Sequence, residues 1–107
     1  MNKGVNIGKV VNYKTLEDAL LKAANDIGLK ATVKDEYNKG YKLGSVQEID
    51  TYNHTKIYLR GKLFPAMTLF IPTKENNNWF SIWMGMPHGC ASEKKVKQYL
   101  NAVSKYL

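Results

Sequence analysis

The chain has 107 residues, 44% hydrophobic, 11% aromatic and 23% charged, which excludes disorder over most of its length and predicts one domain, 1–107, around one core. Its single cysteine, Cys90, excludes an internal disulfide framework and a cysteine-rich zinc site. The net charge of +7 lies mostly in residues 54–107, where seven lysines and Arg60 meet only Glu75 and Glu93.

Residues 5–11 read as a short first strand interrupted by Gly8. Leu16, Ala19, Leu20, Ala23, Ala24 and Ile27 then recur at helical spacing. Thr15 is the expected cap of that helix, Glu17 and Asp18 suit its positive end, and Gly28 supplies the stop. Leu29, Ala31 and Val33 alternate with Lys30, Thr32 and Lys34, a half-buried strand. After a turn-rich stretch at 38–44, residues 46–49 and 55–59 read as two strands around a polar turn at 50–53. A connection at 60–62 leads into a strand over 63–71, where Pro65 requires a late start, a bulge or an edge position. Residues 74–78 read as a loop and 79–84 as a last strand. An amphipathic helix from about Ser92 carries Val96, Tyr99, Leu100, Val103 and Leu107.

Helices at both ends of a run of closely spaced strands predict an α+β domain. Its sheet is mainly antiparallel, with four to six strands and both helices on one face. The other face then carries the functional question. Strand alternation sends Ile57 and Leu59 inward and Lys56, Tyr58 and Arg60 outward; likewise Phe70 opposes Met67, Leu69 and Ile71, and Trp79 and Trp83 oppose Phe80, Ile82 and Met84. Tyr58, Phe70, Trp79 and Trp83 beside Lys56, Arg60 and Lys62 form the mixture of rings and cations that single-stranded nucleic acid needs. Bases stack on the rings, and the cations meet phosphates.

Arginine is the usual residue for bidentate readout, and here fifteen of sixteen basic residues are lysine, so weak sequence dependence is expected. The same rings equally suit a protein-interaction face, in a homodimer or against an acidic partner, and rings on both strand faces also occur where both are covered. Lysine-rich composition is also an ordinary way to solvate a surface.

The stretch 84–92 is shaped by Gly85, Pro87 and Gly89. Cys90, close to a helix start and to His88, is a candidate thiol nucleophile, though no family signature surrounds it. His54, His88 and Cys90 have ligand chemistry but no recognised metal spacing. Lys94, Lys95 and Lys97 stand where positive charge opposes the helix dipole, which with the backbone after Gly89 makes a candidate anion site. Gly4 and Gly8 lack the spacing of a phosphate loop. Glu48 and Asp50 are two apart and read as turn acids. No motif asks for a cofactor. The longest nearly apolar run, 63–72, is too short to span a bilayer, and no apolar leader segment stands at the amino terminus, so a cytoplasmic, membrane-free setting is expected.

Overall fold

In the computed structural model, which describes residues 2–39, 51–62, 65–86 and 88–107, the apolar stripe after residue 12 forms helix α1 (Tyr13–Asp26). Its cap is Asn12 rather than Thr15: the Asn12 side chain accepts from the Lys14 amide at 2.8 Å, starting the helix one turn early. Glu17 therefore falls in the second turn, where it is buried beside Lys14 at 3.5 Å, and no acid occupies the first turn. Gly28 has φ +76°, the left-handed geometry that ends the helix.

The strands are β1 (Asn2–Val11), β2 (Lys30–Lys39), β3 (Thr51–Arg60), β4 (Pro65–Ile71) and β5 (Asn77–Trp83). They form one open antiparallel sheet in the order β1-β5-β4-β3-β2. Three local readings are corrected. β1 runs longer than 5–11 because it pairs with β5 from Asn2, bulging between Asn6 and Val11. Residues 51–53, expected in a turn, belong to β3 and pair with 37–39. Asn77 and Asn78 leave the expected loop for β5, because the buried Asn77 amide donates to the Thr73 and Glu75 carbonyls and closes the turn just before the strand. Of the three outcomes open at Pro65, a bulge is present: Leu59 faces Met67 while Arg60 faces Pro65, leaving Ala66 as the extra residue. The expected strand at 46–49, with Glu48 and Asp50, lies outside the described residues.

Helix α2 (Glu93–Ser104), capped by Ser92, returns beside α1, and both lie on one face of the sheet. Ile57, Leu59, Met67, Leu69, Ile71, Phe80 and Ile82 meet Leu16, Leu20, Ala23, Ala24, Val96, Tyr99 and Val103 there. Each large aliphatic side chain so buried contributes roughly 1.5–3 kcal/mol. Tyr99 ties the helices together, its hydroxyl donating to the Leu20 carbonyl at 2.8 Å, and burial pushes its ionisation far above the ordinary tyrosine range. Lys95 reaches from α2 to the Ile27 carbonyl at 3.3 Å, placing a cation at the negative end of α1.

At one end of the core a polar cluster replaces apolar packing. The Thr55 hydroxyl donates to Asp35 at 2.8 Å and lies 3.0 Å from the Tyr13 hydroxyl, while Lys74 pairs with Asp35 at 2.9 Å. The Lys74 contact, then the Thr55 hydrogen bond, hold the Asp35 carboxyl below its usual range. Burial, reinforced by Glu17, pushes Tyr13 up to about 12 against the opposing Thr55 hydrogen bond. Among the described residues no helix is long and apolar enough to cross a membrane.

Candidate nucleic-acid interface

With both helices on one side, alternation leaves a second, helix-free face whose side chains stand in rungs across the strands. Thr32, Tyr58, Thr68 and Trp83 are successive cross-strand partners; Lys34, Lys56, Phe70 and Ser81 form the adjacent rung. Lys30 and Arg60 pair on one side of these two rungs, and Glu36 and His54 on the other. Strand spacing of about 4.8 Å and a rise of about 3.4 Å per residue bring diagonal neighbours within reach of large side chains.

The rings use those diagonals. Phe70 stacks on Trp83 with centroids 5.5 Å apart and planes 14° from parallel, and His54 lies 4.9 Å from Phe70. The Lys56 ammonium stands 5.3 Å from the centre of Trp83, within cation–π range. His88 meets Trp83 edge-on at 4.6 Å, and the Lys34 ammonium lies 5.9 Å from the Tyr58 ring centre. The chain thus holds an aromatic diagonal, His54–Phe70–Trp83–His88, flanked by lysines.

Six of the seven residues expected at this face occupy its rungs: Lys56, Tyr58, Arg60, Phe70, Trp79 and Trp83. Lys56, Tyr58, Phe70 and Trp83 are half-buried, Arg60 is exposed, and Trp79 is 40% exposed. The exposed Lys62 follows the end of β3. Trp79 stands apart, opposite Asn6 and four residues from Trp83, about 14 Å along the strand. The Trp79 ring is open to solvent, whereas the Lys56 ammonium stands over the Trp83 ring. No carboxylate is found among the described side chains of these rungs, and Glu36 holds the register position opposite His54 at their far end.

Sequence reasoning missed four contributors. Lys30, Thr32 and Lys34 were visible in the alternation of β2, which leaves them opposite Ala31 and Val33. His88 carried no such signal, because its place depends on the path of the loop after β5. That path is tightly held. Thr68 donates to the His88 carbonyl at 2.9 Å, and the Cys90 and Ala91 amides donate to the Ala66 carbonyl at 3.1 and 2.9 Å. At Gly89 an added Cβ would lie 2.2 Å from the Ala66 oxygen, so glycine is required there for close approach of two backbones.

The candidate anion site at the start of α2 is arranged differently from the aromatic face. Ser92 accepts from the Lys95 amide at 3.2 Å and Glu93 occupies the first turn, both complementing the dipole. The Lys95 ammonium is directed to Ile27, and Gly89 serves the contact with Ala66. Lys94 is exposed, and Lys97 borders a hollow of about 180 Å³ shared with Lys3 and Glu93. The exposed Cys90 thiol donates to the Pro65 carbonyl at 2.9 Å, while His88 turns its ring to Trp83. Among the described residues no group of three or more His, Cys, Asp or Glu side chains gathers to hold a metal ion, so His54, His88 and Cys90 are not brought together. No family model, curated protein or solved structure matches the chain.

Proposed function

We propose that the chain is a small, cytoplasmic, non-catalytic module that binds single-stranded nucleic acid with weak sequence dependence across the helix-free face. The observation that carries the reading is the juxtaposition at Trp83: a ring stacked on Phe70, with an ammonium 5.3 Å from its centre. It lies on a face whose described charges are the cations Lys30, Lys34, Lys56 and Arg60. Aromatic platforms accept any base, because every base has a π-face, and lysines follow the backbone without reading sequence. Trp79 and Tyr58 receive bases; Lys34, Lys56, Arg60 and Lys62 meet phosphates. The lone cysteine fits a reducing compartment.

Anisotropy of a labelled single-stranded oligonucleotide tests this. Trp79→Ala removes the most exposed ring and should weaken binding by at least fivefold, since base stacking is worth about 1–3 kcal/mol. Lys105→Ala, at the carboxyl end of α2, should change it by less than twofold. Equal effects of the two substitutions would contradict the reading.

A second reading, a face that meets a second copy or an acidic protein, draws on the same exposed Trp79 and on the mutual packing of the remaining rings. It predicts a dimer whose mass is unchanged by salt, or capture of an acidic protein without competition from oligonucleotide.

A further inference from the structure

Beside the aromatic diagonal, the helix-free face has a hollow of about 330 Å³. Thr32, Tyr58 and Thr68 share one rung at its floor, and Lys34 and Arg60 border it from the rungs on either side. His88 closes it from the loop after β5. No carboxylate is among the described residues lining it. Its closing wall is built rather than adventitious. The Thr68 hydroxyl holds the His88 carbonyl at 2.9 Å, and the loop beyond is pinned to Ala66 through Cys90, Ala91 and the bare Cα of Gly89.

We infer that this hollow is a subsite for one nucleotide, its phosphate between Lys34 and Arg60 and its base against Tyr58. The inference rests on the nucleic-acid reading for its choice of a nucleotide among phosphate esters. Three features support that ligand. The volume lies at the lower end of the roughly 300–1,000 Å³ of small-ligand clefts, which suits one nucleotide and not a folded strand. Two cations approach from opposite sides, and the guanidinium of Arg60 offers the planar fork that matches a phosphate's two oxygens. The exposed Thr32 hydroxyl supplies a polar partner for a ribose, and the Tyr58 ring supplies the flat surface for a base once the Lys34 ammonium, 5.9 Å from its centre, turns to the phosphate. A bare inorganic anion would use the cations and leave the ring idle. The hollow thus gives the strand a fixed register at one nucleotide while the rest lies across the rings.

Amide chemical shifts of the full chain, followed with uridine monophosphate, uridine, inorganic phosphate and a mixed twelve-residue oligonucleotide, test the assignment. Uridine monophosphate should shift Thr32, Tyr58, Thr68 and His88 at millimolar concentration, about tenfold more tightly than uridine or phosphate alone, and the oligonucleotide should displace it. Arg60→Ala and Lys34→Ala, at exposed positions, should each weaken it roughly tenfold, as loss of a charge-assisted hydrogen bond does, with unchanged far-ultraviolet dichroism. Phosphate binding as tightly as the nucleotide would overturn the role of Tyr58. An oligonucleotide that binds while the mononucleotide leaves these amides unmoved would overturn the subsite and leave the face reading intact. Mononucleotide binding without oligonucleotide binding would support the hollow as a nucleotide site and overturn the strand-binding reading; binding of neither would overturn both.

Discussion

Gly89→Ala is the substitution whose cost the structure specifies most closely. The new Cβ would lie 2.2 Å from the Ala66 oxygen, 2.6 Å from its carbonyl carbon and 2.7 Å from the Met67 Cα, where ordinary contact begins at 3.4 Å. All three neighbours are backbone in or beside a central strand, so the loop must move by more than an ångström. Overpacking of this kind costs roughly 1–3 kcal/mol. The movement also stretches the Cys90 and Ala91 hydrogen bonds to Ala66, each worth about 0.5–1.5 kcal/mol. A destabilisation of about 3 kcal/mol follows, which in a domain near 100 residues lowers Tm by roughly 10–25 °C. Thermal melts followed by circular dichroism measure it, with Gly4→Ala as the reference because its Cβ would meet nothing within 4 Å. The near-ultraviolet signal should change as well, since the same loop holds His88 against Trp83. A Gly89→Ala protein melting within about 2 °C of its parent would refute this account of the loop.

Other expectations follow from the caps and titrating groups. Burial pushes Tyr13 up to about 12, so between pH 10 and 12 the folded chain keeps a proton that the unfolded chain releases, and stability must fall as pH rises through that window. Urea midpoints at pH 9 and 11 should therefore decline less in Tyr13→Phe than in the parent, while burial of Tyr99 sustains a residual decline in both. The Asp35 shift has the opposite sign: its stabilising contribution is present above the unfolded carboxyl range and is lost as pH falls, and Lys74→Met should raise its midpoint in a carboxyl-carbon NMR titration. Lys95→Met removes the cation at the end of α1 and should cost about 0.3–1 kcal/mol, read as a lower urea midpoint with an unchanged slope. Cys90→Ala should leave oligonucleotide affinity unchanged, and the parent thiol should be alkylated at the rate of an ordinary exposed cysteine; rapid alkylation near neutral pH would favour a thiol enzyme.

The helices were legible because their apolar spacing and their stops are local properties. Gly28 needs only its own positive φ to end α1, and Ser92 needs only the amide three residues ahead. The start of α1 was less determinate, since Asn12 and Thr15 both carry capping oxygens and the helix uses the earlier one. Side-chain alternation placed Tyr58, Phe70, Trp79 and Trp83 on a common face without knowledge of strand order. Their neighbours were a different matter. Four residues along one strand already separate Trp79 from Trp83 by about 14 Å, but only placing β5 between β1 and β4 sets Trp83 diagonally beside Phe70 and Trp79 opposite Asn6. Likewise, Lys95 opposes the dipole at the start of its own helix but complements it at the end of α1, a contact that only the packing of the two helices creates. Long-range pairing decides such matters, and it leaves little trace in local pattern.

The most direct test of the helix-free face is a tryptophan-fluorescence titration with a mixed single-stranded oligonucleotide across a range of salt. Four phosphate contacts, at Lys34, Lys56, Arg60 and Lys62, give a slope of log affinity against log salt of about −3 for a single strand. Affinity should then drop roughly fiftyfold between 50 and 200 mM salt, and Arg60→Ala should reduce the slope by about 0.7. Quenching with that slope is the predicted result. A flat signal, with blue-shifted emission and a salt-insensitive dimer, would contradict nucleic-acid binding and assign the face to protein association.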